Sequence, residues 1–284
     1  MSKTCLVLEG GSMRCLFSAA ILDTFLDEGI EVDGIIGVSA GALFAPNYYS
    51  RQKGRALRYN KRFAKDYRFM SFPSFLLTGN LVNKQFAFYD VTSRYDVFDN
   101  YTYKKNNKGF LATVTNVETG NAEYLELNDV NEGLEVLRAT SAIPLVSEIV
   151  EINGKKYLDG GVGDSIPVLK AKSMGYDKII VVLTRDKTYR KEALDEKIAK
   201  LTKLRYHKYP KFVDKMLNRH NEYNETVDMI NKMEDDGEIF VLRPSKPISL
   251  HTIERDVKHL DEVYNLGLEV AKESMPALKA YLNK

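Results

Sequence analysis

Residues 4–50 read TCLVLEGGSMRCLFSAAILDTFLDEGIEVDGIIGVSAGALFAPNYYS, and this run decides the fold. Thr4 to Leu8 is a short apolar β-type segment that ends in the turn Glu9-Gly10-Gly11-Ser12. From Met13 to Glu28 the apolar residues Leu16, Ala19, Ala20, Leu22, Phe25 and Leu26 recur at helical spacing, and Gly29 follows as a stop signal. Val32 to Val38 is a second β-type run, and Ala40 to Ser50 a second helix. Strand, helix, strand, helix in one short stretch is a βαβ unit, which predicts a mainly parallel sheet covered on both faces.

Working outward, Arg51 to Arg68 is strongly basic, and Phe69 to Leu77 is an aromatic-rich segment interrupted by Pro73. Phe110 to Asn116 and Ala122 to Leu127 read as strands around the turn Glu118-Thr119-Gly120-Asn121. Asn131 to Ala139 has a helical pattern. Ile149 to Leu158 reads as a hairpin turning at Asn153-Gly154. Ile166 to Met174 is a helix and Lys178 to Thr184 another apolar strand. Lys187 to Met233 is helical and charged with a break at Pro210. Glu238 to Leu242 is a further strand, and Val257 to Leu282 a helix broken near Pro276. The expectation is one α/β domain over residues 1–284, with its helical C-terminal part at about 187–284.

Three places carry chemistry. Gly37-Val38-Ser39-Ala40-Gly41 matches G-x-S-x-G and lies between a β-type run and a helical one. A sharp strand-to-helix turn exposes the serine Oγ, and the flanking glycines Gly37 and Gly41 let the backbone close up around it. The bland reading is a strand–helix junction with Ser39 as an N-cap. Gly10-Gly11-Ser12-Met13-Arg14 follows the first strand. Its glycines free N–H groups to face a developing oxyanion, and Arg14 adds positive charge. A phosphate-binding turn or a plain βα turn is the competing reading. Asp159-Gly160-Gly161 closes the run Lys156-Tyr157-Leu158. An aspartate there can serve as base to Ser39, or it can be an ordinary Asp-Gly turn.

Taken together and in this order, Gly10 to Arg14, Gly37 to Gly41 and Asp159 to Gly161 resemble the patatin-like phospholipase family, as does the block Ala139-Thr140-Ser141-Ala142-Ile143-Pro144. Arg219-His220-Asn221, Tyr223-Asn224-Glu225 and Val241-Leu242-Arg243-Pro244-Ser245 are similar to a bacterial subgroup of that family. The resemblance implies a three-layer α/β fold. It also implies a Ser39–Asp159 dyad without histidine, an acyl-enzyme at Ser39 and hydrolysis of fatty acyl esters of lipids, with no metal or organic cofactor. Two positions depart from the family pattern: Ser12 stands where a third glycine is usual, and Cys15 where a glycine follows the basic residue. A side chain at either place strains a loop that needs positive φ, so a lipid-binding homologue with impaired catalysis is one alternative. A Ser–His–Asp esterase using His207, His220, His251 or His259 is another, and an acyltransferase using the same acyl-enzyme a third.

Composition narrows the setting. With 44% hydrophobic and 28% charged residues the chain is an ordinary globular sequence, and its two cysteines, Cys5 and Cys15, are expected to be buried free thiols of a cytoplasmic protein. Net charge is only +2, but Arg51 to Arg68 carries eight Lys/Arg against one acid, a local +7, with aromatics interleaved. Lys187 to Arg219 carries eleven against four, again +7. The first run suits peripheral contact with an anionic membrane surface, against the plainer reading of a solvated helix face. No nucleic-acid-binding signature accompanies either run, so nucleic acid is not an expected partner.

Overall fold

A computed structural model describes residues 2–250 and 252–283. Along the chain run β1 (Thr4–Leu8), α1 (Leu16–Asp27), β2 (Gly34–Val38), α2 (Ala40–Phe44), α3 (Pro46–Tyr49), α4 (Arg55–Phe63) and α5 (Phe72–Thr78). A π-helical stretch (Lys84–Tyr95) leads to α6 (Asn100–Asn106), β3 (Phe110–Asn116), β4 (Ala122–Glu126), α7 (Leu134–Thr140), β5 (Val150–Ile152) and β6 (Lys155–Asp159). α8 (Val168–Ser173), β7 (Lys178–Val182), α9 (Glu196–Arg205), α10 (Pro210–Asp235), β8 (Phe240–Leu242) and α11 (Val257–Leu282) complete it.

The eight strands form one sheet in the order β5-β6-β3-β2-β1-β7-β8, with β4 also on β3. β3, β2, β1, β7 and β8 are mutually parallel, and β4 and β6 pair antiparallel with β3. Alternation along the central strands makes the fold three-layered. Leu6, Leu8, Ile180 and Val182 enter a core with α1 and α11, whereas Cys5, Val7, Ile179 and Val181 enter one with α8 and α10. This is the mainly parallel α/β sandwich, helices on both faces, that the first fifty or so residues predict. Cys5 and Cys15 are free and buried, and burial pushes the Cys5 thiol up to about 12.

The edges of β3 explain how distant residues meet. Val114 and Thr115 pair both with Glu123 and Ala122 of β4 and with Asp159 and Leu158 of β6, so β4 and β6 hold opposite edges. Leu111 to Thr113 pair with β4 and with Ile36 to Val38 of β2, so β2 shares the β6 edge. β2 and β6 therefore run toward each other along one edge of β3. They end beside adjacent residues, Val38 opposite Thr113 and Asp159 opposite Val114.

Three sequence expectations change. The helix from Ala40 to Ser50 divides at Ala45-Pro46 into α2 and α3. Pro73 does not interrupt the aromatic segment. It sits in the first turn of α5, where its missing N–H is not needed, behind the Ser71 cap that accepts from Ser74 N. α11 passes through Pro276 without a break. Pro276 and Lys272, whose carbonyl loses its helical donor, are both exposed, so the defect lies on the solvent side while Val270, Ala271, Met275 and Leu278 stay packed.

α11 crosses α1 at close range. A Cβ at Gly267 would lie 2.4 Å from the Phe17 carbonyl oxygen and 2.8 Å from Ala20 Cβ. Tyr264 OH donates to the buried Asp23 carboxylate at 2.5 Å along the same seam. Gly267→Ala should therefore destabilise the protein by about 1–3 kcal/mol in urea titration, as overpacking does. Helix propensity alone predicts the opposite sign, a gain of about 1 kcal/mol, so stabilisation would show that the two helices do not meet there.

Candidate active site

Ser39 sits on the turn between β2 and α2 at φ 52°, ψ −127°, a conformation a serine adopts only when its surroundings enforce it. The enforcement is steric and polar. A Cβ at Gly37 would come within 2.7 Å of Ala42 Cα, and one at Gly41 within 2.7 Å of the Glu9 carbonyl oxygen, so both flanking positions exclude side chains. Ser39 N–H donates to Thr140 Oγ1 at 3.0 Å, and Thr140 Oγ1 donates to the Thr113 carbonyl at 2.5 Å. Ser39 is thus held from β3 and α7 as well as by its own turn.

Ser39 Oγ donates to Asp159 Oδ2 at 2.6 Å. The second carboxylate oxygen, Oδ1, accepts from Gly161 N at 2.8 Å, and Asp159 N donates to the Ala142 carbonyl at 2.9 Å. Asp159 is 8% exposed. Burial raises its pKa above the ordinary carboxylate range, and the bonds from Ser39 and Gly161 and the charge of Arg219 oppose that only in part. Thr140 and Ala142 belong to the block 139–144. Its role in fixing both members of the pair was not read from the sequence, although the block itself was conspicuous.

The loop Gly10 to Arg14 lies beside this pair. A Cβ at Gly10 would stand 3.0 Å from Ser39 Cβ, so the loop approaches the serine as closely as a glycine allows. Among the described residues none accepts the N–H of Gly10, Gly11, Ser12 or Met13, while Arg14 N–H is used on the Gly11 carbonyl. The positive φ in this loop falls on Ser12 (50°). Cys15 lies at φ −67°, so of the two departures only Ser12 carries strain. Ser12 Oγ donates to the Thr252 carbonyl at 3.1 Å, which ties the loop to the segment before α11.

The three described histidines bond away from the pair. His207 and His220 bond the Leu204 and Leu217 carbonyls, and His259 bonds Glu254. His251 lies outside the described residues. Serine and aspartate touch directly, with no imidazole between them.

Two cavities meet at Ser39. One of about 100 Å³ is apolar, with Met13, Leu43, Phe88, Val91, Phe98 and Leu137 among its walls. The other, of about 240 Å³, is polar and runs over Glu9, Arg14, Asp159, Arg185, Lys191 and Arg219. Ser12, Ser39 and Ile143 line both.

The basic run 51–68 is largely neutralised. Arg51 pairs with Glu31, Lys53 with Asp27, Arg55 and Arg58 with Asp96, Lys61 with Asp261, and Arg68 with Asp66. Among the described residues no helix is long and apolar enough to cross a membrane.

A model described as patatin-like phospholipase matches residues 6–172, and one described as a domain of unknown function (DUF6363) matches 209–283. The chain is 26% identical over 279 residues to the uncharacterized protein YjjU of Escherichia coli (strain K12), covering 93% of this chain and 75% of that protein. It is 25% identical over 183 residues to lysophospholipase NTE1 of Candida glabrata and 27% over 187 residues to that of Coccidioides immitis. Each covers 62% of this chain but only 10% and 11% of those proteins. Among solved structures, VipD from Legionella pneumophila aligns over 97% of this chain and 67% of its own, at 10% identity and TM-score 0.46. With the first model spanning more than half of its residues, the chain belongs to the patatin-like phospholipase family.

Proposed function

We propose that this protein hydrolyses fatty acyl esters of phospholipids or related lipids through a Ser39–Asp159 dyad. The observation that carries the reading is the direct 2.6 Å bond from Ser39 Oγ to a buried carboxylate, at the junction of an apolar cavity and a polar one. Family membership and the likeness to lysophospholipases support it.

Ser39 Oγ attacks the ester carbonyl carbon as Asp159 Oδ2 takes its proton. The carbonyl oxygen becomes an oxyanion, met by the N–H groups of Gly10, Gly11, Ser12 and Met13 with Arg14 behind them. Collapse breaks the carbon–oxygen bond to the alcohol, which leaves with the proton from Asp159, and the acyl group stays on Ser39. Asp159 then deprotonates water, which attacks the acyl-enzyme carbonyl; collapse breaks the bond to Ser39 Oγ, which takes the proton back from Asp159 as the fatty acid leaves. The apolar cavity takes the acyl chain. The desolvation that raises the Asp159 pKa also makes it a stronger base than an exposed aspartate.

A fluorophosphonate probe should label the wild type and leave Ser39→Ala unlabelled. Asp159→Asn should lower kcat by on the order of 10⁴-fold, the scale seen when one member of a catalytic unit is lost. Absence of labelling in the folded wild type would favour the lipid-binding homologue with impaired catalysis. Near-normal turnover by Asp159→Asn would refute the dyad.

The raised pKa has a second consequence. A carboxyl whose folded pKa exceeds its unfolded one costs stability when ionised, and the cost is relieved as pH falls through the folded value. At neutral pH Asp159→Asn should therefore melt higher than the wild type, by roughly 2 °C for each kcal/mol relieved, and the gap should close on acidification. The wild-type kcat/KM should fall on acidification with an apparent pKa above the ordinary aspartate value of about 4. A variant that melts lower at every pH would contradict this account.

Peripheral contact with an anionic membrane belongs to the same reading, carried by α9. Ile198, Leu201 and Leu204 form an exposed apolar stripe (Leu204 is 73% exposed) flanked by exposed Lys197, Lys200, Lys203 and Arg205. Leu201→Ser/Leu204→Ser should reduce co-sedimentation with anionic vesicles several-fold. Wild-type binding that is equal on neutral and anionic vesicles would count against the contact.

A further inference from the structure

The polar cavity is unusual in how it holds charge. Four cations line it, Arg14, Arg185, Lys191 and Arg219, and the acids on its wall are Glu9 and Asp159. Neither acid forms an ion pair with them. Glu9 accepts from Thr184 N, Thr184 Oγ1 and Tyr223 OH, and Asp159 is engaged by Ser39 and Gly161. Among the described residues none of the four cations has a carboxylate partner within 4.0 Å, in contrast to neighbouring Arg190, which pairs with Asp228.

The cations are fixed by aromatic rings and backbone instead. Arg185 lies 4.1 Å over the Tyr189 ring and Lys191 Nζ 4.9 Å over the Tyr223 ring, with the two rings packed edge to face. Asn224 clamps the Lys191 backbone, accepting from its N–H at 2.8 Å and donating to its carbonyl at 3.0 Å. Arg219 Nη2 donates to Ser165 Oγ at 3.3 Å, and among the described residues the buried Nε atoms of Arg14 and Arg219 have no partner. Burial first, then the neighbouring arginines led by Arg219, bring the Lys191 pKa down to about 8, with Glu9 opposing them in part. Such an arrangement is costly unless a ligand supplies the negative charge.

We propose that this cavity binds the terminal phosphate monoester of an acyl lipid, so that the enzyme prefers lysophosphatidic- or phosphatidic-acid-type substrates to zwitterionic and neutral ones. The assignment rests on the hydrolase reading, because Ser39 stands between the two cavities and the ester must bridge them. Three guanidinium groups and an ammonium suit a tetrahedral phosphate with several acceptor oxygens and a charge near −2. After the two carboxylates are set against the four cations, a charge of that size is what the wall leaves to be neutralised. A choline or ethanolamine group placed there would meet like charge.

Two measurements at pH 7 test this. The first is hydrolysis of short-chain monomeric substrates with one acyl chain in common: an acyl-glycerol 3-phosphate, an acyl-glycerophosphocholine and a monoacylglycerol. Monomers remove any contribution from membrane surfaces. The phosphate monoester should give the highest kcat/KM, by roughly tenfold or more over the monoacylglycerol. Arg185→Gln and Lys191→Gln should each collapse that ratio. The second is calorimetric titration of glycerol 3-phosphate into Ser39→Ala, which binds without turnover, and into Ser39→Ala carrying Arg185→Gln/Lys191→Gln, where affinity should drop at least tenfold. Binding without hydrolysis of any ester would keep the anion site and defeat the hydrolase reading. Hydrolysis with no headgroup preference, a parallel fall on all three substrates in the variants, or no glycerol 3-phosphate binding would overturn the proposal. Binding of glycerol 3-phosphate with equal turnover of all three esters would mark a site for free phosphate compounds and would also overturn it.

Discussion

β2 and β6 approach each other along a single edge of β3 and stop beside adjacent residues, Thr113 and Val114. Everything at the site follows from that meeting. A parallel strand alone would carry Ser39 to the end of the sheet with nothing facing it. An antiparallel strand coming from the far end brings a second C-terminus, and with it Asp159, to the same point. The meeting leaves polar backbone exposed where two strands end, and the molecule satisfies it locally. Thr140 takes the Ser39 N–H and caps the Thr113 carbonyl, while Ala142 takes the Asp159 N–H. The strained turn at Ser39 and the buried carboxylate at Asp159 are each unfavourable alone. They persist because a sheet whose central strands β1 and β2 are buried throughout over-determines their positions.

The sequence was informative where chemistry is local. Strand, turn and helix at Thr4 to Glu28 and Val32 to Phe44 each occupy a few residues, and periodicity identifies them. The glycines at 10, 37 and 41 were legible because close approach excludes any Cβ. The direct meeting of Ser39 and Asp159 was legible only through the family resemblance. Strand pairing leaves no mark on the strands themselves, and nothing in Lys155 to Asp159 says that it continues the line of β2. Pro276 misled for a related reason. The rule that proline breaks a helix concerns a lost donor and a clash, and a solvent-facing position with a strongly packed opposite face meets both at tolerable cost.

Charge runs misled more instructively. Arg51 to Arg68 is the most basic stretch by density, yet its partners Asp27, Glu31, Asp96 and Asp261 lie far away in sequence and neutralise it. Arg14, Arg185, Lys191 and Arg219 come from three places, the turn after β1, the loop between β7 and α9, and α10, and only Lys191 and Arg219 fall within a basic run of the sequence. In the folded chain they line one cavity, and among the described residues none of them has a carboxylate partner. What a charge does depends on whether folding supplies its partner, and linear counting is blind to that.

Ser12 joins these themes. Family likeness puts a glycine there, and the backbone bears out the reason, since the position requires φ near 50°. A serine in the left-handed region costs roughly 1–2 kcal/mol, which the 3.1 Å bond from its Oγ to the Thr252 carbonyl offsets in part. That bond needs a hydroxyl, so a glycine would relax the loop and release the segment ahead of α11 together. The amides of Gly10 to Met13 are therefore aimed by two agents: the close contact of Gly10 with Ser39, and a tether from a part of the chain 240 residues away. Of these only the first is built into the βαβ unit. The second makes the geometry of the loop depend on how the C-terminal helix docks against α1.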